Sequence, residues 1–111
     1  MKTRRLLLSA MSAAIAVGLA ASTEVRAGGD AKAGEVKAIP CMGCHAIPGY
    51  SNVYPTYHVP RVGGQQADYI VAALKAYRSG ERSHRTMQAQ ASSLSDQDMA
   101  DIAAYFAAKP E

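Results

Sequence analysis

The sequence predicts a small all-α domain of three main helices and short turns. Three observations carry that expectation. Apolar residues recur at helical spacing over residues 65–79 and 95–106. A third, shorter segment starts at Asp30 with the residue type that caps helices. No alternation of strand and helix patterns appears along the 111 residues. A domain this short buries a modest share of its surface, so it needs an added centre to pack around.

The stretch Cys41-Met42-Gly43-Cys44-His45 points to that centre, and it holds the only two cysteines in the chain. A three-residue step is close to one helical turn, so both thiols face one side. C-x-x-C-H is the attachment signature of c-type haem. Each thiol adds across one vinyl group of the porphyrin, and the adjacent imidazole lies under the ring as the proximal iron ligand. Other readings fit less well. A thioredoxin-like pair needs a βαβ context. Structural zinc wants four ligands, and neither His58 nor His84 stands at a recognised spacing to complete the set. A disulfide leaves His45 unexplained. Cys41 and Cys44 are therefore read as the haem-bonding residues and His45 as a metal ligand.

The first residues read as an address. Lys2, Arg4 and Arg5 precede an apolar run over residues 6–21, and Val25-Arg26-Ala27 suits a signal peptidase. The run falls short of the ~20 residues a spanning helix needs. The expectation is a cleaved secretory signal peptide over residues 1–27, a single-haem domain over residues 28–111 and a periplasmic location, with an uncleaved anchor as the alternative. Of 12 lysines and arginines and 9 acidic residues, the leader holds four and one, which leaves eight of each. The net +3 thus belongs to the leader. A near-neutral domain gives nucleic-acid binding no electrostatic support.

Along the domain, Asp30 caps a short helix over residues 31–38 that contains Gly34, and Pro40 breaks or kinks it before Cys41. Residues 46–64 read as a long loop, punctuated by Pro48, Gly49, Pro55, Pro60, Gly63 and Gly64, with Tyr50, Tyr54 and Tyr57 placed to wrap a cofactor edge. Ile70, Leu74 and Tyr77 mark the buried stripe of the helix over residues 65–79, which Gly80 stops. Residues 81–87 form a polar connection, and one or two helical turns follow over residues 88–93. Ser95 and Asp98 form a capping box, and Met99, Ile102, Ala103 and Phe106 face inward until Pro110 ends the helix.

In this order the pieces resemble small class I cytochromes c, nearest the bacterial cytochrome c4 and c553 type. The matching residues are 28–34, Cys41 to His45, Pro60 to Gln65, Tyr69 to Arg82, Met87, Leu94 to Met99 and Ala103 to Phe106. The resemblance implies one haem c held by Cys41 and Cys44, with His45 and Met87 on iron. It implies that the Pro60 carbonyl orients the proximal imidazole, and that Gly34 meets Tyr105 where the first and last helices cross. The segment between His45 and Pro60 is a little longer than in such relatives, and Arg85 stands near the usual place of a proline.

The residues themselves leave the sixth ligand among Met42, Met87, Met99, His58 and His84. Met42 lies inside the attachment motif, and Met99 is on a core stripe. Met87, in a loop between two helices, is the preferred reading. His84, His58 and an open position remain alternatives. His/Met ligation leaves no open iron position, so the expected role is a non-enzymatic electron carrier. Its partners would be redox proteins: a dehydrogenase donor and an oxidase or reductase acceptor. A dedicated haem subunit of a dehydrogenase or oxidase, or a haem enzyme or gas sensor, are the competing roles. Arg61, Arg82 and Arg85 are candidates to pair with haem propionates.

Overall fold

Asp30 does what its type and place suggest. Its carboxylate accepts from the backbone N–H of Lys32 at 2.9 Å and of Ala33 at 3.4 Å, which starts α1, Ala31–Lys37. The computed structural model describes residues 28–109, so the expected leader over residues 1–27 and the Pro110 helix stop lie outside the described residues. After a break at Ala38 comes α2, Ile39–His45, with Pro40 in its first turn. Proline is tolerated there because the first N–H groups of a helix lack intrahelical partners. The cysteine-bearing segment is thus a helix of its own.

The expected loop over residues 46–64 contains a hairpin. β1, Ser51–Val53, pairs antiparallel with β2, Thr56–His58, in the register Ser51 with His58, Asn52 with Tyr57 and Val53 with Thr56. Three-residue strands are too short for an alternating pattern to register. Side chains stitch the turn instead: Asn52 Nδ2 donates to the Pro55 carbonyl at 2.7 Å and Thr56 Oγ1 to the Val53 carbonyl at 2.8 Å.

α3, Ala67–Ser79, buries Ile70 and Leu74 and ends at Gly80, whose φ of 85° is the left-handed cap conformation. α4, Arg85–Ser92, starts earlier than the residue pattern suggests. α5, Asp96–Ala107, carries the predicted capping box between Ser95 and Asp98. Its buried residues include Met99, Ile102, Ala103 and Phe106. The core joins this stripe to Ala38, Ile70, Leu74 and Ala91. No helix among the described residues is long and apolar enough to cross a membrane.

α1 lies across α5, and α3 packs on both α5 and α4. The α1–α5 crossing is close because Gly34 has no side chain. A Cβ there would run into the Asp101 backbone and would sit 2.9 Å from Tyr105 Cβ. Beside it, the buried Asp101 carboxylate is fully engaged. Oδ1 accepts from Asp30 N at 2.7 Å and Gln97 Nε2 at 2.8 Å, while Oδ2 accepts from Lys37 Nζ at 2.6 Å. Burial pushes this carboxyl upward, but the hydrogen bonds from Lys37, Asp30 and Gln97 together hold it below the usual carboxylate range.

Candidate functional site

α2 puts Cys41 and Cys44 three residues apart on one helix, both half-buried and neither in a disulfide. Burial, with a smaller contribution from Cys44, pushes the Cys41 thiol up. Both sulfurs remain within reach of a group lying against the helix. His45 closes α2, and its Nδ1 lies 2.6 Å from the Pro60 carbonyl oxygen. A carbonyl only accepts, so Nδ1 carries a proton, and in the neutral ring Nε2 keeps its lone pair. That is the tautomer a metal-binding imidazole needs, with ring and proton fixed by a backbone oxygen. Pro60 therefore stands where the resemblance implies, with the β1–β2 hairpin lying between it and His45.

Met87 lies in the first turn of α4, not in an open loop. The difference comes from His84. It is the N-cap of α4, and its Nδ1 accepts from Met87 N at 3.3 Å. Histidine is not among the usual capping residues, so the residue types gave no such signal. The same hydrogen bond occupies the Nδ1 lone pair and puts the His84 proton on Nε2. Met87 is half-buried and packs against the core cluster. His58 is exposed on β2, Met99 is fully buried in the core, and Met42 lies between the two cysteines.

The tyrosines divide. Tyr54 is 94% exposed at the hairpin turn. Tyr57 meets the His84 ring edge-on, with centroids 4.7 Å apart, and its hydroxyl lies 3.1 Å from Thr86 Oγ1. Of the three candidate arginines, Arg61 lines an open cleft together with His45 and Lys109. Arg82 stacks on the Tyr77 ring at 4.8 Å, and Arg85 is exposed. Residue pattern alone missed the Tyr57–His84–Thr86 cluster and the buried Asp101. The polar run over residues 81–87 concealed the first. A lysine at the end of α1 was the available sign of the second.

The donor set fits a c-type haem: two thiols one turn apart, a neutral imidazole with a free Nε2, and a half-buried thioether. The comparisons agree. Residues 31–108 match the family model for cytochrome c. The chain is 43% identical over 84 residues to cytochrome c-554(548) of Halomonas halodenitrificans, covering 73% of this chain and 98% of that protein. It is 41% identical over 83 residues to cytochrome c4 of Pseudomonas aeruginosa, covering 75% of this chain and 40% of the relative. The chain thus spans about two fifths of that relative's length. It is also 30% identical over 73 residues to the cytochrome subunit of sulfide dehydrogenase of Chlorobaculum tepidum, covering 66% of this chain and 63% of the relative.

Proposed function

The chain belongs to the cytochrome c family, with its covalently bound haem c, and on that premise we propose a periplasmic electron carrier with His/Met-ligated iron. Bound haem c supplies a one-electron couple, its iron alternating between the ferrous and ferric states. The residues of the chain do the rest. Cys41 and Cys44 bond the group to α2. His45 offers Nε2 from one side while the Pro60 carbonyl holds its Nδ1 proton, 2.6 Å away. Met87 offers its thioether from the first turn of α4. With His45 and Met87 both bound, the iron would keep no free position for oxygen or peroxide. Residues 1–27 act as the export signal and are removed.

The observation that carries this reading is the Pro60–His45 hydrogen bond beside the cysteine pair, since it fixes the imidazole in its ligating form. Met87 is preferred to His84 because the Nδ1 lone pair of His84 is already used on the Met87 backbone. The test is a visible and near-infrared spectrum of protein matured in the periplasm. A c-type spectrum with a sulfur–iron charge-transfer band supports the assignment. A bis-histidine or high-spin spectrum refutes Met87.

A second reading has one observation in its favour, the similarity to the cytochrome subunit of a sulfide dehydrogenase. In that case the same site passes electrons within a complex. Co-purification of a stoichiometric flavoprotein or other dehydrogenase separates this reading from a free carrier.

A further inference from the structure

We propose that the β1–β2 hairpin, through Tyr57, His84 and Thr86, fixes the position of the Met87 thioether, making these three positioning residues for the sixth ligand. This rests on the reading that Met87 ligates iron.

α4 is a helix of eight residues, too short to be stable by its own hydrogen bonding. Its first turn holds Met87 and depends on what caps it. The cap is His84, which accepts the Met87 N–H at 3.3 Å. The His84 ring is in turn contacted from two elements. Tyr57 of β2 meets it edge-on at 4.7 Å and an interplanar angle of 82°, and Tyr77 of α3 lies at 6.4 Å. Tyr57 also reaches past it to Thr86 Oγ1 at 3.1 Å, the residue next to Met87. Arg82 lies over the far partner, Tyr77, at 4.8 Å. One hairpin residue thus touches both the cap and the neighbour of the ligand. Tyr57 is placed by its register with Asn52, whose side chain ties down the turn. The contacts form a continuous path from hairpin turn to Met87 backbone.

Freeing a cap lets the first turn fray. The iron–sulfur bond then opens more often, and a small ligand in solution competes for the position. A lost cap raises the open population by roughly two- to thirtyfold, so about tenfold is expected here. The experiment measures the rate at which imidazole displaces the native ligand from the ferric holoprotein, together with the reduction potential. The variants are Tyr57→Phe, Tyr57→Ala, His84→Ala, His84→Asn and Met87→Ala. The expected result is about tenfold faster displacement in His84→Ala and Tyr57→Ala, with a lowered potential. Tyr57→Phe keeps the ring contact and gives a smaller acceleration. His84→Asn, whose Oδ1 accepts the same N–H, returns most of the wild-type rate. Met87→Ala abolishes the sulfur–iron band altogether.

Displacement rates within twofold of wild type in both alanine variants, with the sulfur–iron band intact, overturn the proposal and leave the Met87 reading standing. No sulfur–iron band in the unaltered protein overturns the Met87 reading and the proposal with it. Should the alanine variants fail to accumulate, Tyr57→Phe decides, since it removes only the hydroxyl that meets Thr86: displacement faster than wild type supports the proposal, and displacement at the wild-type rate overturns it.

Discussion

Two helices, α1 and α5, approach closely at Gly34, and the contact makes a sharp prediction about Gly34→Ala. Alanine is the better helix former by about 1 kcal/mol, so propensity alone predicts stabilisation. The crossing predicts the reverse. The new Cβ would meet Asp101 C at 2.6 Å and Tyr105 Cβ at 2.9 Å. Ordinary carbon contacts lie near 3.5–4.0 Å, so α1 must withdraw from α5 by about 1 Å. The obstacle is backbone, which cannot turn aside as a side-chain tip does. Overpacking of this kind costs about 1–3 kcal/mol. Withdrawal also stretches the bonds from Asp30 N and Lys37 Nζ to Asp101, now 2.7 and 2.6 Å long. The bond from Asp30 N to the buried Asp101 carboxylate is of the charged kind that contributes about 1.5–3 kcal/mol, and its weakening together with the overpacking outweighs the propensity gain. The net expectation is a loss of about 2–3 kcal/mol. For a domain of this size that lowers Tm by about 8–24 °C. The assay is a thermal melt of the holoprotein followed by circular dichroism at the helical band. Gly43→Ala is the matched control, since a Cβ at that helical position meets nothing within 4 Å. It should leave stability unchanged or raise it by up to about 1 kcal/mol. A Gly34→Ala protein melting at or above wild type would refute the packing argument.

Three further predictions follow from the same geometry. Cys41→Ser or Cys44→Ser leaves a single thioether, and replacing both cysteines leaves none, so haem stain retained on a denaturing gel falls and then disappears. On the His45/Met87 ligation proposed above, Met87→Ala leaves the iron one protein ligand, so carbon monoxide should bind the ferrous protein within the mixing time where it binds wild type slowly or not at all, and the potential should drop. Asp98 is held down to about 2, chiefly by the Lys37 hydrogen bond and then by those from Ser95. Its folded pKa lies below the unfolded value, so its contribution is complete above about pH 4 and is lost as pH falls toward 2. Urea midpoints measured from pH 6 to pH 2 should decline across that window, and Lys37→Met should flatten the decline.

How far the fold was legible depended on element length. α3 and α5 run long enough for a helical period to repeat, and Ile70, Leu74, Met99 and Phe106 are buried as that period requires. The capping box at Ser95 and the stop at Gly80 were legible because each is a local rule. The hairpin was not, since three residues cannot display alternation and its register is fixed by Asn52 and Thr56 side chains. The start of α4 was misplaced because a histidine caps it. The attachment motif was legible because its chemistry requires sulfur, sulfur and imidazole at one spacing. The surroundings of Met87 were not, because tertiary packing brings Tyr57 to His84 and Thr86, beside Met87, from nearly thirty residues away in sequence.

The bond from Asp30 N to Asp101 Oδ1 joins positions 71 apart in sequence. A polypeptide delivered from its amino end has no acceptor for that donor, and no wall for Gly34 to rest on, until the final helix has emerged. The clasp that seals the finished molecule thus joins its first helix to its last, and the α1–α5 crossing closes only on the complete chain.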